Sequence, residues 1–172
     1  NTEMFAAPNR QSNVILKIGD KRIHVSKEYL AVQSPVFEEW FFGDSAEKGK
    51  EEVEIEDVVY EEFLDLLHLI YLGTSKITDQ TVAHILYLAD QFEMKSVVKG
   101  CRMYLKNESN LNRMNKILLA DQYGFPEIKD RCLRTFNHSS KLFRKMQALP
   151  ECVEFSDDLK VEIFDKIAGF KF

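Results

Sequence analysis

The groups in this chain that could carry covalent, metal or proton-transfer chemistry are four histidines, three cysteines and several paired carboxylates, and their spacing decides what each can do. His24, His68, His84 and His138 fall on separate predicted elements. None forms the i, i+4 pair that holds a metal from one helix face, and none stands in a Cys-His dyad, so each reads as a surface or half-buried polar group. Cys101, Cys132 and Cys152 are odd in number, lack a C-x-x-C pair and have no histidine at ligand spacing. They support neither a disulfide framework nor a zinc site, and read as small buried hydrophobes in a reducing, intracellular compartment, cytoplasm or nucleus. The seven glycines are scattered, with no G-x-G-x-x-G, no G-x-x-x-x-G-K and no G-x-S-x-G, so phosphate and acyl transfer lose their usual supports. Glu61-Glu62 and Asp157-Asp158 stand at predicted helix starts, where they favour the positive end of the helix dipole. The residues therefore point to recognition. No catalytic residue, metal or cofactor is expected.

The elements that would position a recognition surface follow from composition and pattern. The chain has 172 residues, 45% hydrophobic and 30% charged, enough apolar material for one or two small cores. No apolar run approaches the ~20 residues of a membrane span, and the start lacks the profile of a secretory signal, so no membrane partner is expected. The net charge of −5 argues against nucleic acid, whose binding needs a basic face. The charge is unevenly spread. Between Gly43 and Glu62 nine carboxylates meet two lysines, whereas Lys95 to Lys116 holds six basic side chains against Glu108. A charge run is first of all a solvated face, but the acidic one also holds the most turn-rich loop and is a candidate docking surface.

Val14 to Ile18 and Arg22 to Val25 are short β-branched runs joined by Gly19-Asp20-Lys21, which predicts a hairpin. Ser34-Pro35 supplies an N-cap and a first-turn proline for a helix carrying Val36, Phe37, Trp40 and Phe41 on one face, with Phe42 off the stripe as a contact point. Val53 to Ile55 alternates as a third strand, and Tyr60 to Leu72 is helical until Gly73. Asp79 is the expected cap of a helix carrying Val82, Ile85, Leu86, Ala89 and Phe92, followed by one over 96–106. Strands come first and helices later, so the class is α+β with a helical C-terminal part.

An internal echo organises that second part. Leu88-Ala89-Asp90-Gln91-Phe92 recurs as Leu119-Ala120-Asp121-Gln122-Tyr123, and Cys101 recurs as Cys132, all at an offset of 31 residues. Such a period marks stacked helical hairpins, here the last hairpin of one domain and the first of the next, with a tight junction expected near 107–110. Pro126 should open a helix with Ile128, Cys132, Leu133 and Phe136 inward, and Ser156 should cap a last helix holding Leu159, Ile163 and Ile167.

With these elements in order, the stretches Val14-Ile15-Leu16-Lys17-Ile18-Gly19, Lys27 to Phe37, Val53-Glu54-Ile55 and Leu69-Ile70-Tyr71-Leu72-Gly73 resemble a BTB (POZ) domain, and the helices after it resemble the start of a BACK-type extension. The nearest resemblance is to MATH-BTB adaptors of the speckle-type POZ protein kind. It divides the chain into a linker from an upstream domain (1–12), a BTB domain (13–107) and a BACK-like helical domain (108–172). What it implies is a homodimeric, non-enzymatic module that recruits cullin-3, so that a substrate protein held by the upstream domain meets a RING ubiquitin ligase. The alternative is a BTB scaffold that dimerises and recruits other partners without a cullin.

The resemblance also assigns residues. The cullin groove of such adaptors is edged by a hydrophobic-x-Glu triplet, which here becomes Ser45-Ala46-Glu47, or, with a slipped register, Phe42-Gly43-Asp44. Glu47 is kept, but Ser45 lacks the apolar knob, and loss of a buried Leu- or Met-sized anchor costs ~2 kcal/mol or more. Asn13 replaces the usual Asp of the first strand and Ser26 the usual His before Lys27, which leaves Lys27 without its acidic partner and compromises the charged pocket used for co-repressors. Met4, Phe5 and Tyr29 are the candidates for the dimer interface.

Overall fold

The computed structural model describes residues 3–73, 77–134 and 155–168. The chain divides into two compact units, residues 1–104 and 105–172. The first opens with a single-turn helix, α1 (Glu3–Ala6), and then the hairpin β1 (Val14–Ile18) and β2 (Lys21–Val25). The turn is two residues long, with Gly19 at φ +55°, a backbone angle that glycine adopts without a Cβ penalty. Lys21 therefore belongs to the strand. The antiparallel register pairs Val14 with Val25 and Leu16 with Ile23, and the side chains of Val14, Leu16 and Ile18 alternate onto the buried face.

The third strand, β3 (Glu52–Glu54), pairs parallel to β1, giving the order β2-β1-β3, with Leu16 opposite Val53. It begins one residue before the sequence expectation, and the Ile55 N–H still donates to the Lys17 carbonyl at 2.8 Å. A parallel neighbour needs a crossover. It is supplied by two helices, α2 (Lys27–Gln33) and α3 (Pro35–Phe42). The first was not expected from the sequence. Its cap is Ser26, whose Oγ accepts from the Tyr29 N–H at 3.2 Å. Ser34 starts α3 as expected, with its Oγ accepting from the Phe37 N–H.

Helix α4 (Tyr60–Leu72) buries Phe63, Leu66 and Leu67 and ends at Gly73, which has φ +96°. Helix α5 (Val82–Gln91) buries Val82, Ile85, Leu86 and Ala89. Asp79 does not cap it: Asp79 accepts from the Tyr104 hydroxyl at 3.0 Å, while Thr78 and Thr81 exchange side-chain and backbone bonds and the Thr78 carbonyl takes the Val82 N–H. Two threonines three apart can close the turn reciprocally, and they leave the carboxylate available to the hydroxyl. Helix α6 (Lys95–Asn107) follows, with Val97, Cys101 and Leu105 buried.

The second unit contains α7 (Arg113–Gln122), α8 (Pro126–Arg134) and α9 (Asp157–Ala168). Ile128, Cys132 and Leu133 of α8 and Leu159 and Ile163 of α9 are buried, and Ser156 caps α9 through the Leu159 N–H. Phe136, His138, Cys152 and the side chain of Ile167 lie outside the described residues. Lys129 ties the unit together, pairing with both Asp121 and Glu162 at 3.0 Å.

The 31-residue echo is a shared way of leaving a helix. The Glu93 N–H donates to the Asp90 carbonyl and the Met94 N–H to that of Ala89; in the second copy Gly124 donates to Asp121 and Phe125 to Ala120. The left-handed residues are Glu93 (φ +52°) and Gly124 (φ +68°). This is the double closure that terminates many helices.

Candidate functional site

In the first unit a groove of about 740 Å³ lies between α3, the loop after it, β3 and the end of α5. Half-buried Val36, Trp40 and Val58, with buried Ile55 and Phe92, give it an apolar floor. Phe37 stacks on Phe92 with 4.8 Å between centroids, and Trp40 meets both rings edge-on. The Ser34 hydroxyl, fully buried, donates to the Phe92 carbonyl at 2.6 Å. That bond joins the start of α3 to the end of α5, so the two walls of the groove are fixed to each other.

The rim is acidic. Glu47, Glu52, Glu54 and Glu56 line it together with Lys17 and Lys50. Glu47 pairs with Lys50 at 2.8 Å, Glu52 with Arg22 at 2.7 Å and Glu54 with Lys17 at 3.5 Å. The Arg22 guanidinium, through its hydrogen bond first and its charge after, holds the Glu52 carboxyl below the usual range.

Of the expected loop residues, the structure brings Glu47 alone to the groove lining. Ser45 turns inward: its Oγ donates to the Trp40 carbonyl at 3.0 Å and accepts from the Glu47 N–H at 3.3 Å. The hydroxyl thus sets the loop instead of projecting from it. Ala46 is exposed, and Phe42 is 48% exposed at the end of α3, edge-on to Phe41. Neither lines the groove. Trp40 and Phe92, which form its floor, read from the sequence as core members of helix stripes, and the chain's single tryptophan was the one compositional sign.

Lys27 donates to the Lys50 carbonyl at 3.1 Å and lies 6.0 Å from the Phe41 ring centre. Asn13 is tied to the start of α2: its Oδ1 accepts from the Lys27 N–H at 2.8 Å, and its Nδ2 donates to both Glu28 carboxylate oxygens. Ser26 Oγ donates to the same carboxylate at 3.1 Å. The Glu28 backbone N–H first, and the Asn13 amide next, hold this carboxyl below its ordinary value.

The proposed dimer residues separate. Phe5 is 2% exposed, packed in its own chain against His68 and Tyr71. Its ring is taken up because Tyr71 and His68 leave α4 on the side where α1 returns. Met4 beside it is 40% exposed. Tyr29 is half-buried, 4.4 Å from Tyr71 between ring centres, and its hydroxyl donates to the Ile70 carbonyl.

Other titratable groups join helices or lie buried. His84 pairs with Asp65 at 3.0 Å, joining α5 to α4. Burial pushes the Cys101 thiol up to about 12 and raises that of Cys132. Among the described residues no three His, Cys, Asp or Glu side chains gather as metal ligands, and no helix is long and apolar enough to cross a membrane.

The first unit is thus a small mixed sheet with helices and a groove beside it. The family model of the BTB/POZ domain matches residues 3–109, and the chain belongs to that family. It is 35% identical over 155 residues to BTB and MATH domain-containing protein 38 of Caenorhabditis elegans, covering 90% of this chain and 40% of that protein. It is also 35% identical over 115 residues to human Kelch-like protein 28, covering 65% of this chain and 20% of that protein. The chain thus spans well under half of these relatives. Among solved structures, the BTB domain of zebrafish PATZ1 aligns over 56% of this chain and 77% of its own at 23% identity, with a TM-score of 0.47.

Proposed function

We propose that this chain is the homodimeric adaptor core of a cullin-3 ubiquitin ligase, with substrate supplied by an upstream domain joined through residues 1–12, and with residues 108–172 beginning a BACK-like extension. The observation that carries this reading is the groove beside the α3–β3 loop, aromatic on its floor and edged by Glu47. Kinship with MATH-BTB and Kelch-like proteins supports it. The module works by apposing proteins inside the cell, in cytoplasm or nucleus, and carries out no reaction of its own. Titrating the purified chain with the cullin-3 N-terminal domain tests it: a complex is expected, and absence of binding at about ten times a micromolar Kd would remove the reading.

A second reading, a dimeric scaffold that leaves the cullin aside, is favoured by Ser45, whose hydroxyl faces the Trp40 carbonyl. Replacing Ser45 with Met separates the two. If the wild-type chain binds weakly and Ser45→Met tightens binding by roughly tenfold, the missing anchor is the deficit. If neither binds, the scaffold reading holds.

A further inference from the structure

The basic stretch between Lys95 and Lys116 lines no part of the groove beside α3. Its far end meets α8 inside the second unit. Lys116 Nζ donates to the Ser109 carbonyl at 2.7 Å, and Arg131 Nη2 donates to the Lys106 carbonyl at 2.6 Å, so two cations are pinned where α6 gives way to α7. A carbonyl orients a cation without cancelling its charge. Neither Lys116 nor Arg131 has a carboxylate partner among the described residues, and each keeps most of its donors unused. Arg113, exposed in the first turn of α7, joins them. Burial raises the Cys132 thiol, and the charges of Lys116, Arg131 and Arg113 all pull against that rise, so three positive groups from two helices reach one sulfur. The first turn of α7 holds no acid and its cap, Asn112, is neutral, which leaves Arg113 and Lys116 facing the positive end of their own helix. Like charges so placed repel, and a counter-charge from outside relieves them.

We infer that Arg113, Lys116 and Arg131 form a binding site for a ligand that carries clustered phosphate groups. The two guanidinium forks match phosphate oxygens in pairs, and the ammonium adds a compact charge. A carboxylate brings a single charge, whereas a phosphate monoester brings about −1.5 to −2 near neutrality, so two phosphates offset the three cations. The carbonyl bonds of Lys116 and Arg131 hold both side chains in place before the ligand arrives, which lowers the ordering cost of binding. The site belongs to a different unit from the groove and does not depend on the adaptor reading.

The test titrates pyrophosphate into the whole chain by calorimetry, with ionic strength held at about 150 mM so that long-range attraction is screened. Saturable binding is expected, tighter than that of orthophosphate by roughly tenfold. The Arg113→Gln/Arg131→Gln double variant is expected to weaken it by about tenfold or more. Lys95→Gln/Lys99→Gln removes the same charge from exposed positions of α6 and is expected to leave it unchanged. A thermal melt of each variant reports folding. If the loss of the Arg131 bond unfolds the second unit, Arg113→Gln alone, at an exposed position, decides, with a loss of about threefold or more. Absence of saturable binding, or an equal loss in the two double variants, would overturn the inference.

Vesicles of phosphatidylcholine, with and without a phosphatidylinositol bisphosphate, separate the sources of the phosphates. Pelleting with the bisphosphate vesicles alone, competed by pyrophosphate, assigns them to a lipid headgroup; pyrophosphate binding without pelleting assigns a soluble ligand. Pelleting that pyrophosphate leaves untouched places the lipid elsewhere on the chain and counts against the site.

Discussion

Asn13 and Ser26 illustrate how one side chain can lose one role and hold another. Judged by type, each is a lost charge; in the fold both bond to the first turn of α2, and together they grip Glu28. Ser26→Ala removes the cap and is expected to cost about 1 kcal/mol in a denaturant titration. Glu28 gives the pair a pH signature. Its carboxyl is held below the ordinary value in the folded chain, so it contributes stability above the unfolded glutamate pKa of about 4.3, and that contribution is lost as pH falls through the lower, folded value. The stability gap between the wild-type chain and Asn13→Ala should therefore be full near neutrality and narrow in acid, leaving the part that the Lys27 N–H bond supplies. Urea titrations of both at several pH values would show it, and a gap that widened in acid would contradict it. The role of Asn13 could not be read from the sequence, because its partners Lys27 and Glu28 lie fourteen and fifteen residues away, at a helix start. Ser34 was legible as a cap, but its donation to Phe92 was not, for the same reason. Ser34→Ala leaves the carbonyl of buried Phe92 without this donor and is expected to cost about 2 kcal/mol, measured as a shift in the urea midpoint.

The helices were legible where their apolar spacing was long and punctuated: α4 with Gly73, α8 with Pro126, α9 with Ser156. Helix α2 escaped because it is seven residues long and fully buries only Leu30, too little for a 3.6-residue period to emerge. The parallel pairing of β3 escaped too, since three residues cannot specify a neighbour. The echo was legible as a repeat but not as a pair of matched helix exits. Those exits predict effects of opposite sign. Glu93 holds a left-handed conformation that a side chain resists, whereas Gly124 holds its equivalent freely. Glu93→Gly should stabilise by about 0.5 to 1 kcal/mol. Gly124→Ala should destabilise by about 1 kcal/mol through backbone strain alone, since nothing lies within 4 Å of the added Cβ. Thermal melts of the two variants test this, and matching signs would refute the shared geometry.

For the whole molecule, the sequence conveyed the family and the fold class, but not which loop residues line the groove beside α3. Ser45 was counted as a missing anchor, and the fold shows it as the hydroxyl that shapes the loop. Of the residues expected at a dimer contact, Phe5 packs within its own chain while Met4 is exposed. Light scattering at micromolar concentration is expected to give twice the chain mass, and Met4→Asp to shift the sample toward single chains by placing a charge in an apolar contact. The Ser34 to Phe92 bond, spanning 58 residues, also dictates where this molecule can be shortened. A fragment cut before the end of α5 would keep every residue of the α2–α3 hairpin yet leave a buried hydroxyl with no acceptor and an aromatic stack with a missing member. The smallest autonomous piece must therefore extend past Phe92, and limited proteolysis should leave that stretch whole.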